Sequence, residues 1–310
     1  MFIQGAILLL GLILLFGGSS LLVEGAASTA VMFAVRPVIV GLTIVSFATS
    51  APELLVSLVA AVKGSGGISI GNILGSNVIN IALVLGISAV IKPVTINKQI
   101  INIDIPYMIL VSTIFWLLCM DSNIGQIDGS VLIFLLLVFL IYGVITAKDK
   151  NNDTFIVKPS LPTIVKNIIF IILGILMLSF GANFVVREAI TIAREIGLSQ
   201  TFIGISVVAL GTSLPELATS AVAAAKGESE ISVGNVVGSN LFNVCLVMGV
   251  VGIFNPMPID NSLHYFQFPF MIFICFLLGF AAWVNKGVGK KVGSLFIILF
   301  VVYIAISYIN

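Results

Sequence analysis

The stretch Gly41-Leu-Thr-Ile-Val-Ser-Phe-Ala-Thr-Ser-Ala-Pro-Glu53 returns 163 residues later as Gly204-Ile-Ser-Val-Val-Ala-Leu-Gly-Thr-Ser-Leu-Pro-Glu216. At the same offset, Gly71-Asn-Ile-Leu-Gly-Ser-Asn-Val-Ile-Asn80 returns as Gly234-Asn-Val-Val-Gly-Ser-Asn-Leu-Phe-Asn243. Residues 41–91 and 204–254 align without gaps at 24 identities in 51 positions. Chance matching of apolar residues would not preserve Thr, Ser, Pro, Glu and Asn at fixed places, so the chain is an internal duplication. The offset also relates Gly18 to Gly181, and Ala147 to the last residue, Asn310.

Around these segments, 59% of the 310 residues are apolar and only 9% are charged, against roughly 25% charged in soluble domains. Hydropathy predicts an all-α polytopic membrane protein with spans near 3–23, 37–62, 69–91, 104–120, 129–147, 163–186, 200–225, 231–254, 266–284 and 292–309. The chain thus divides into a first repeat, 1–147, a polar linker, 148–162, and a second repeat, 163–310. Five spans is an odd number, so the second repeat must enter the membrane from the opposite face. Inverted repeats of this kind build many secondary transporters, with the substrate site near the midplane between broken helices.

The basic residues orient the chain. With ten spans, loops on the side of the termini hold Lys63, Arg187 and Arg194, and the opposite loops hold the other 11 of the 14 basic residues. Positive charge stays in the cytoplasm, which places both termini outside and the linker 148–162 inside, in the plasma membrane. The opening segment lacks the basic start of a cleaved signal peptide and reads as the first span. Net charge of +1 gives no basic surface for nucleic acid. Cys119, Cys245 and Cys275 lie in apolar runs and read as packing residues rather than a disulfide framework. His264, in an outward loop, reads as a solvated residue.

Glu53 and Glu216 are the charges that fall mid-span. An acidic residue there costs about 2.5–3.5 kcal/mol on insertion scales, and no Lys or Arg lies at comparable depth. A bound cation is the simplest compensation; two protonated, hydrogen-bonded acids are the alternative. Thr49 and Ser50 precede Glu53 by four and three residues, placing three oxygens on one helix face, and Thr212, Ser213 and Glu216 repeat the pattern. Pro52 and Pro215 lack the N–H that would serve the carbonyls of Ala48 and Gly211. Open backbone at that depth is tolerated where it lines a cavity or is buried in protein. Ser76 and Asn80, with Ser239 and Asn243, continue a polar stripe at four-residue spacing, whereas Asn72, Asn77, Asn235 and Asn240 read as contacts between helices. Hard oxygens without a His or Cys pair suit Ca²⁺, which takes 6–8 such ligands at about 2.3–2.6 Å; Na⁺ uses the same atoms, and thiolate-seeking metals are disfavoured.

In these paired segments the sequence resembles the cation/Ca²⁺ exchanger superfamily, specifically its prokaryotic sodium/calcium exchanger branch. The resemblance implies that Glu53 and Glu216 are central Ca²⁺ ligands. It further implies that Thr49, Ser50, Ser76, Thr212, Ser213 and Ser239 are ion ligands, together with the carbonyls of Ser46 and Ala209. It implies an antiporter that exports Ca²⁺ on the Na⁺ gradient by alternating access, with the first and sixth helices sliding across the other eight. One chain then suffices for transport, with oligomers left open, and the ions are cargo rather than cofactors. Three departures stand out: Ala48 faces Gly211 in the repeat, Ser46 faces Ala209, and the fourth-corner positions Asn80 and Asn243 are both amides. Two amides argue against potassium co-transport.

A Ca²⁺/H⁺ exchanger with the same site, its glutamates protonating in exchange, is the nearest rival. A passive cation channel fits the broken acidic helices and inverted halves poorly. An enzyme would need a nucleophile–base set or metal triad that neither glutamate has.

Overall fold

The computed structural model describes residues 2–146, 161–195 and 209–309. The described residues are helical apart from two small two-stranded ribbons and the connecting turns. In order, the helices are α1 (Phe2–Met32), α2 (Pro37–Thr49), α3 (Ala51–Val62), α4 (Gly66–Ile91), α5 (Ile100–Asp121) and α6 (Gln126–Ile145). There follow α7 (Leu161–Glu195), α8 (Ala209–Thr212), α9 (Leu214–Lys226), α10 (Ser229–Phe254), α11 (Gln267–Asn285) and α12 (Lys290–Ile309). Among the described residues, eight helices are long and apolar enough to cross a membrane, or nine if the α2–α3 pair, bent by 42°, is one span. The linker 148–160 and the segment 200–208 of the expected seventh span lie outside the described residues.

The centre is decided by burial. In α4 and α10, 83% of the most apolar window is buried, against 22–39% in α1, α5, α6, α7, α11 and α12. Those outer helices turn Leu9, Ile13, Phe16, Phe134, Ile141, Phe276 and Phe280 outward, a surface that suits hydrocarbon and not water. Two ribbons tie loops together: Val94–Thr95 pairs antiparallel with Gly287–Val288, and Asn123–Ile124 with Met257–Pro258.

Helix α1 runs on to Met32 and α7 to Glu195, nine residues past the ends that hydropathy predicts. Glu24, the charge that ended the first window, is exposed and pairs with Lys166 of α7 at 3.3 Å. Backbones touch along this pair of helices. A Cβ on Gly18 would lie 2.9 Å from the Gly174 carbonyl oxygen, and one on Gly174 would lie 2.8 Å from that of Gly18. Gly11 and Gly181 stand in the same reciprocal relation, so small residues let these helices approach.

The three cysteines are buried free thiols. His264 departs from the expectation of a solvated side chain. Its ring stacks on Phe268 at 5.3 Å, and its Nδ1 accepts from the Trp116 indole at 3.0 Å. The loop folds back onto the end of α5, and an aromatic face provides a partner for the imidazole that hydropathy does not register.

Candidate functional site

The break between α2 and α3 falls at Ser50, whose backbone (φ −81°, ψ 1°) leaves the helix just before Pro52. Ser213, before Pro215, has nearly the same geometry (φ −87°, ψ 6°) at the junction of α8 and α9. Each break puts a glutamate into the first turn of the following helix, Glu53 in α3 and Glu216 in α9. Unused N–H groups and the positive end of the helix dipole favour negative charge there. Both side chains are fully buried.

The halves serve each other. Ser213 Oγ donates to Glu53 Oε1 at 3.4 Å, and Ser50 Oγ donates to Glu216 Oε1 at 3.5 Å. Thr49 Oγ1 donates to Asn235 Oδ1 at 3.1 Å and lies 3.2 Å from Ser239 Oγ. Thr212 Oγ1 donates to Asn72 Oδ1 at 3.2 Å, and Ser213 Oγ also reaches Ser76 Oγ at 3.2 Å. Each of these contacts joins a residue of one repeat to a residue of the other. A single buried cluster therefore gathers Glu53, Glu216, Thr49, Ser50, Thr212, Ser213, Ser76 and Ser239.

Asn80 and Asn243 sit where α4 and α10 widen into π-helical stretches, Asn80–Leu85 and Phe242–Met248, a distortion common at functional sites. Among the buried side-chain oxygens without a hydrogen-bond partner are four at expected ligand positions: Glu53 Oε2, Glu216 Oε2, Asn80 Oδ1 and Asn243 Oδ1. All four are acceptors when the acids are ionised. Leaving each unsatisfied costs about 1–3 kcal/mol, more for a charged group, a cost that ligation of a cation would offset. Among the described residues, the one ion pair is Lys166–Glu24 at the surface, so no basic side chain neutralises the glutamates.

Two expected ligands stand differently. The Ser46 carbonyl accepts from Ser50 N at 2.9 Å and lies 3.3 Å from Thr49 Oγ1, and Ser46 Oγ donates to Gly41 O at 2.7 Å. Ala209 opens α8, and its preceding motif residues, Gly204 to Val208, lie outside the described residues. Asn72 and Asn235 make contacts between helices, as expected of them. Asn72 Nδ2 donates to Ser57 Oγ at 3.0 Å and Asn235 Nδ2 to Ser220 Oγ at 2.9 Å, each also reaching the glutamate's own carbonyl at 3.5 Å. The signal for Ser57 and Ser220 was in the sequence: both lie one turn beyond a glutamate and are identical across the repeat.

A multi-pass helical membrane protein built around a buried cluster of hard oxygens belongs to the class that includes ion transporters. The chain belongs to the sodium/calcium exchanger protein family, whose model matches residues 3–144 and 166–309. Among its relatives are the inner membrane protein YrbG of Escherichia coli, 31% identical over 99% of this chain and 98% of that one, and the putative antiporter CaxA of Alkalimonas amylolytica, 36% identical over 84% of each. The solved structure of the sodium-calcium exchanger NCX_Mj soaked with 2.5 mM Na⁺ and 0.1 mM Ca²⁺ superposes with a TM-score of 0.87. It is 33% identical and covers 98% of each chain. The family is one of exchangers, which are transporters rather than enzymes.

Proposed function

We propose that the chain is a secondary active antiporter that exchanges Ca²⁺ for Na⁺ by alternating access, with Glu53 and Glu216 as the charged ligands. Thr49, Ser50, Ser76, Asn80, Thr212, Ser213, Ser239 and Asn243 supply the neutral oxygens, along with the carbonyls of Ser46 and Ala209. The observation that carries this reading is the crossed pairing of Ser50 with Glu216 and Ser213 with Glu53, each carboxylate keeping one oxygen unpartnered. Two ionised glutamates give an empty site of charge −2, costly to move through low dielectric. One Ca²⁺ cancels it. Three Na⁺ would leave +1, making exchange electrogenic at about 2.3 kcal/mol per 100 mV for that charge and favouring Ca²⁺ export. Support for the Na⁺/Ca²⁺ pair comes from the family and from the exchanger structure that the fold resembles.

In this reading the chain has ten spans as two inverted repeats, 1–147 and 163–310, with both termini outside and the linker 148–162 in the cytoplasm. The reciprocal ribbons and hydrogen bonds at the 163-residue offset support the inverted arrangement. A monomer is sufficient because both carboxylates come from one chain.

Purified protein in proteoliposomes is expected to take up Ca²⁺ when Na⁺ is loaded inside and absent outside, with no pH gradient and with the potential clamped. Uptake that requires a pH gradient and ignores Na⁺ would reassign the coupling ion to H⁺. Single-channel current without counter-transport would reassign the protein to a channel.

A further inference from the structure

Four buried amides are linked across the repeats, with Asn77 and Asn240 bonded to each other at the centre. Asn77 Nδ2 donates to the Asn240 backbone carbonyl at 3.4 Å and contacts Met271 Sδ at 3.7 Å. Asn240 Nδ2 mirrors this, reaching the Asn77 carbonyl at 3.3 Å and Met108 Sδ at 3.7 Å. Carbonyl oxygens and thioether sulfurs only accept, so the NH₂ group of each amide must face them. That turns Asn77 Oδ1 toward Asn243, whose Nδ2 donates to it at 3.1 Å, and Asn240 Oδ1 toward Asn80, whose Nδ2 donates at 3.1 Å. With their NH₂ groups held by Asn240 and Asn77, Asn80 and Asn243 leave Oδ1 as the free end, and among the described residues these are the two buried amide oxygens without a partner. All four side chains are at most 1% exposed.

We propose that Asn77 and Asn240 are positioning residues that fix the O/N sense of Asn80 and Asn243 across the repeat boundary, so that the site presents oxygen and never NH₂ to the ion. Neither Asn77 nor Asn240 touches the ion. Their effect passes crosswise, from Asn77 to Asn243 and from Asn240 to Asn80. An amide free to flip would offer a donor to a cation half the time, weakening binding and blurring the preference for divalent over monovalent ions. The inference rests on the proposed ion site.

The test is a set of double-mutant cycles on the full chain in proteoliposomes, reading the KM for Ca²⁺ in Na⁺-driven uptake. Asn77→Ala and Asn243→Ala are each expected to raise KM about ten-fold, the scale of one buried hydrogen bond. The crossed double variant, Asn77→Ala with Asn243→Ala, should be no worse than Asn243→Ala alone. The uncrossed double, Asn77→Ala with Asn80→Ala, should multiply the two losses, because those residues share no bond. The mirrored pairs with Asn240 should behave alike. A structural role alone predicts multiplication in every pair, and that result would overturn the inference while leaving the ion site intact. An unchanged KM for Asn243→Ala would instead overturn the ion site, and this inference with it. If Asn77→Ala fails to assemble, Asn77→Ser, which keeps a small polar side chain, enters the same cycles with the same expectations.

Discussion

Changing Glu53 to glutamine is expected to abolish Ca²⁺ binding while leaving an assembled protein, and Glu216→Gln should do the same. The amide keeps the shape of the carboxyl group and can still accept from Ser213 or Ser50 at the crossed contacts. It removes one of two charges that face a divalent ion in a site without basic residues. Breaking one partner of a buried charge interaction costs about 3–5 kcal/mol, which is roughly two to three or more decades in Kd. Calorimetric titration of Ca²⁺ into detergent-solubilised protein, with size-exclusion profiles as the control for assembly, reads this directly. Wild-type affinity in either variant would place the ion elsewhere. The two variants should be similarly impaired, because each glutamate stands in the first turn of a helix after a break of the same geometry.

A second large effect is expected at a residue that touches no ion. Gly238 lies in α10 directly against α2: a Cβ there would sit 2.6 Å from the Leu42 carbonyl oxygen, 2.9 Å from Leu42 Cα, and against Ser46 Oγ. Backbone cannot yield as a side chain can, so Gly238→Ala must push α10 away from α2. Ser239 and Thr49, now 3.2 Å apart, separate with it. Overpacking of this kind costs about 1–3 kcal/mol in stability, and Gly238→Val should cost more. The expected result is a lowered melting temperature together with a loss of Na⁺-driven Ca²⁺ uptake at least as deep as that of Thr49→Ala. Gly67→Ala is the matched control, since nothing lies within 4 Å of its Cβ position, and it should leave both measurements unchanged. An undisturbed Gly238→Ala would mean that the α2–α10 approach does not set the site.

Much of this is legible in the sequence. The motif Thr-Ser-x-Pro-Glu carries its own geometry: a proline that cannot donate, hydroxyls one turn before a carboxylate, and a depth that forbids an uncompensated charge. Ser50 and Ser213 accordingly sit at the breaks, and Asn80 and Asn243 each end with a free acceptor. Helix ends were less legible. Hydropathy closes α1 before Glu24 because it scores each residue against lipid, and it has no term for Lys166 arriving from another helix. His264 was misread for a related reason: its partner, Trp116, is 148 residues away in the chain.

The residue types, their spacing within each half and the duplication that pairs them follow from the sequence alone, because turns of helix and the lack of a proline N–H are local matters. Which half serves which carboxylate was settled only by the tertiary structure. An offset of 163 residues relates Ser50 to Ser213 as equivalents but cannot say that each donates to the other's glutamate, nor that Asn77 orients Asn243 and not its own neighbour Asn80. Those pairings depend on how the two halves pack together, and that packing depends on how closely backbone can approach backbone at glycines such as Gly238. That is a property of surfaces in space, which no spacing along one chain records.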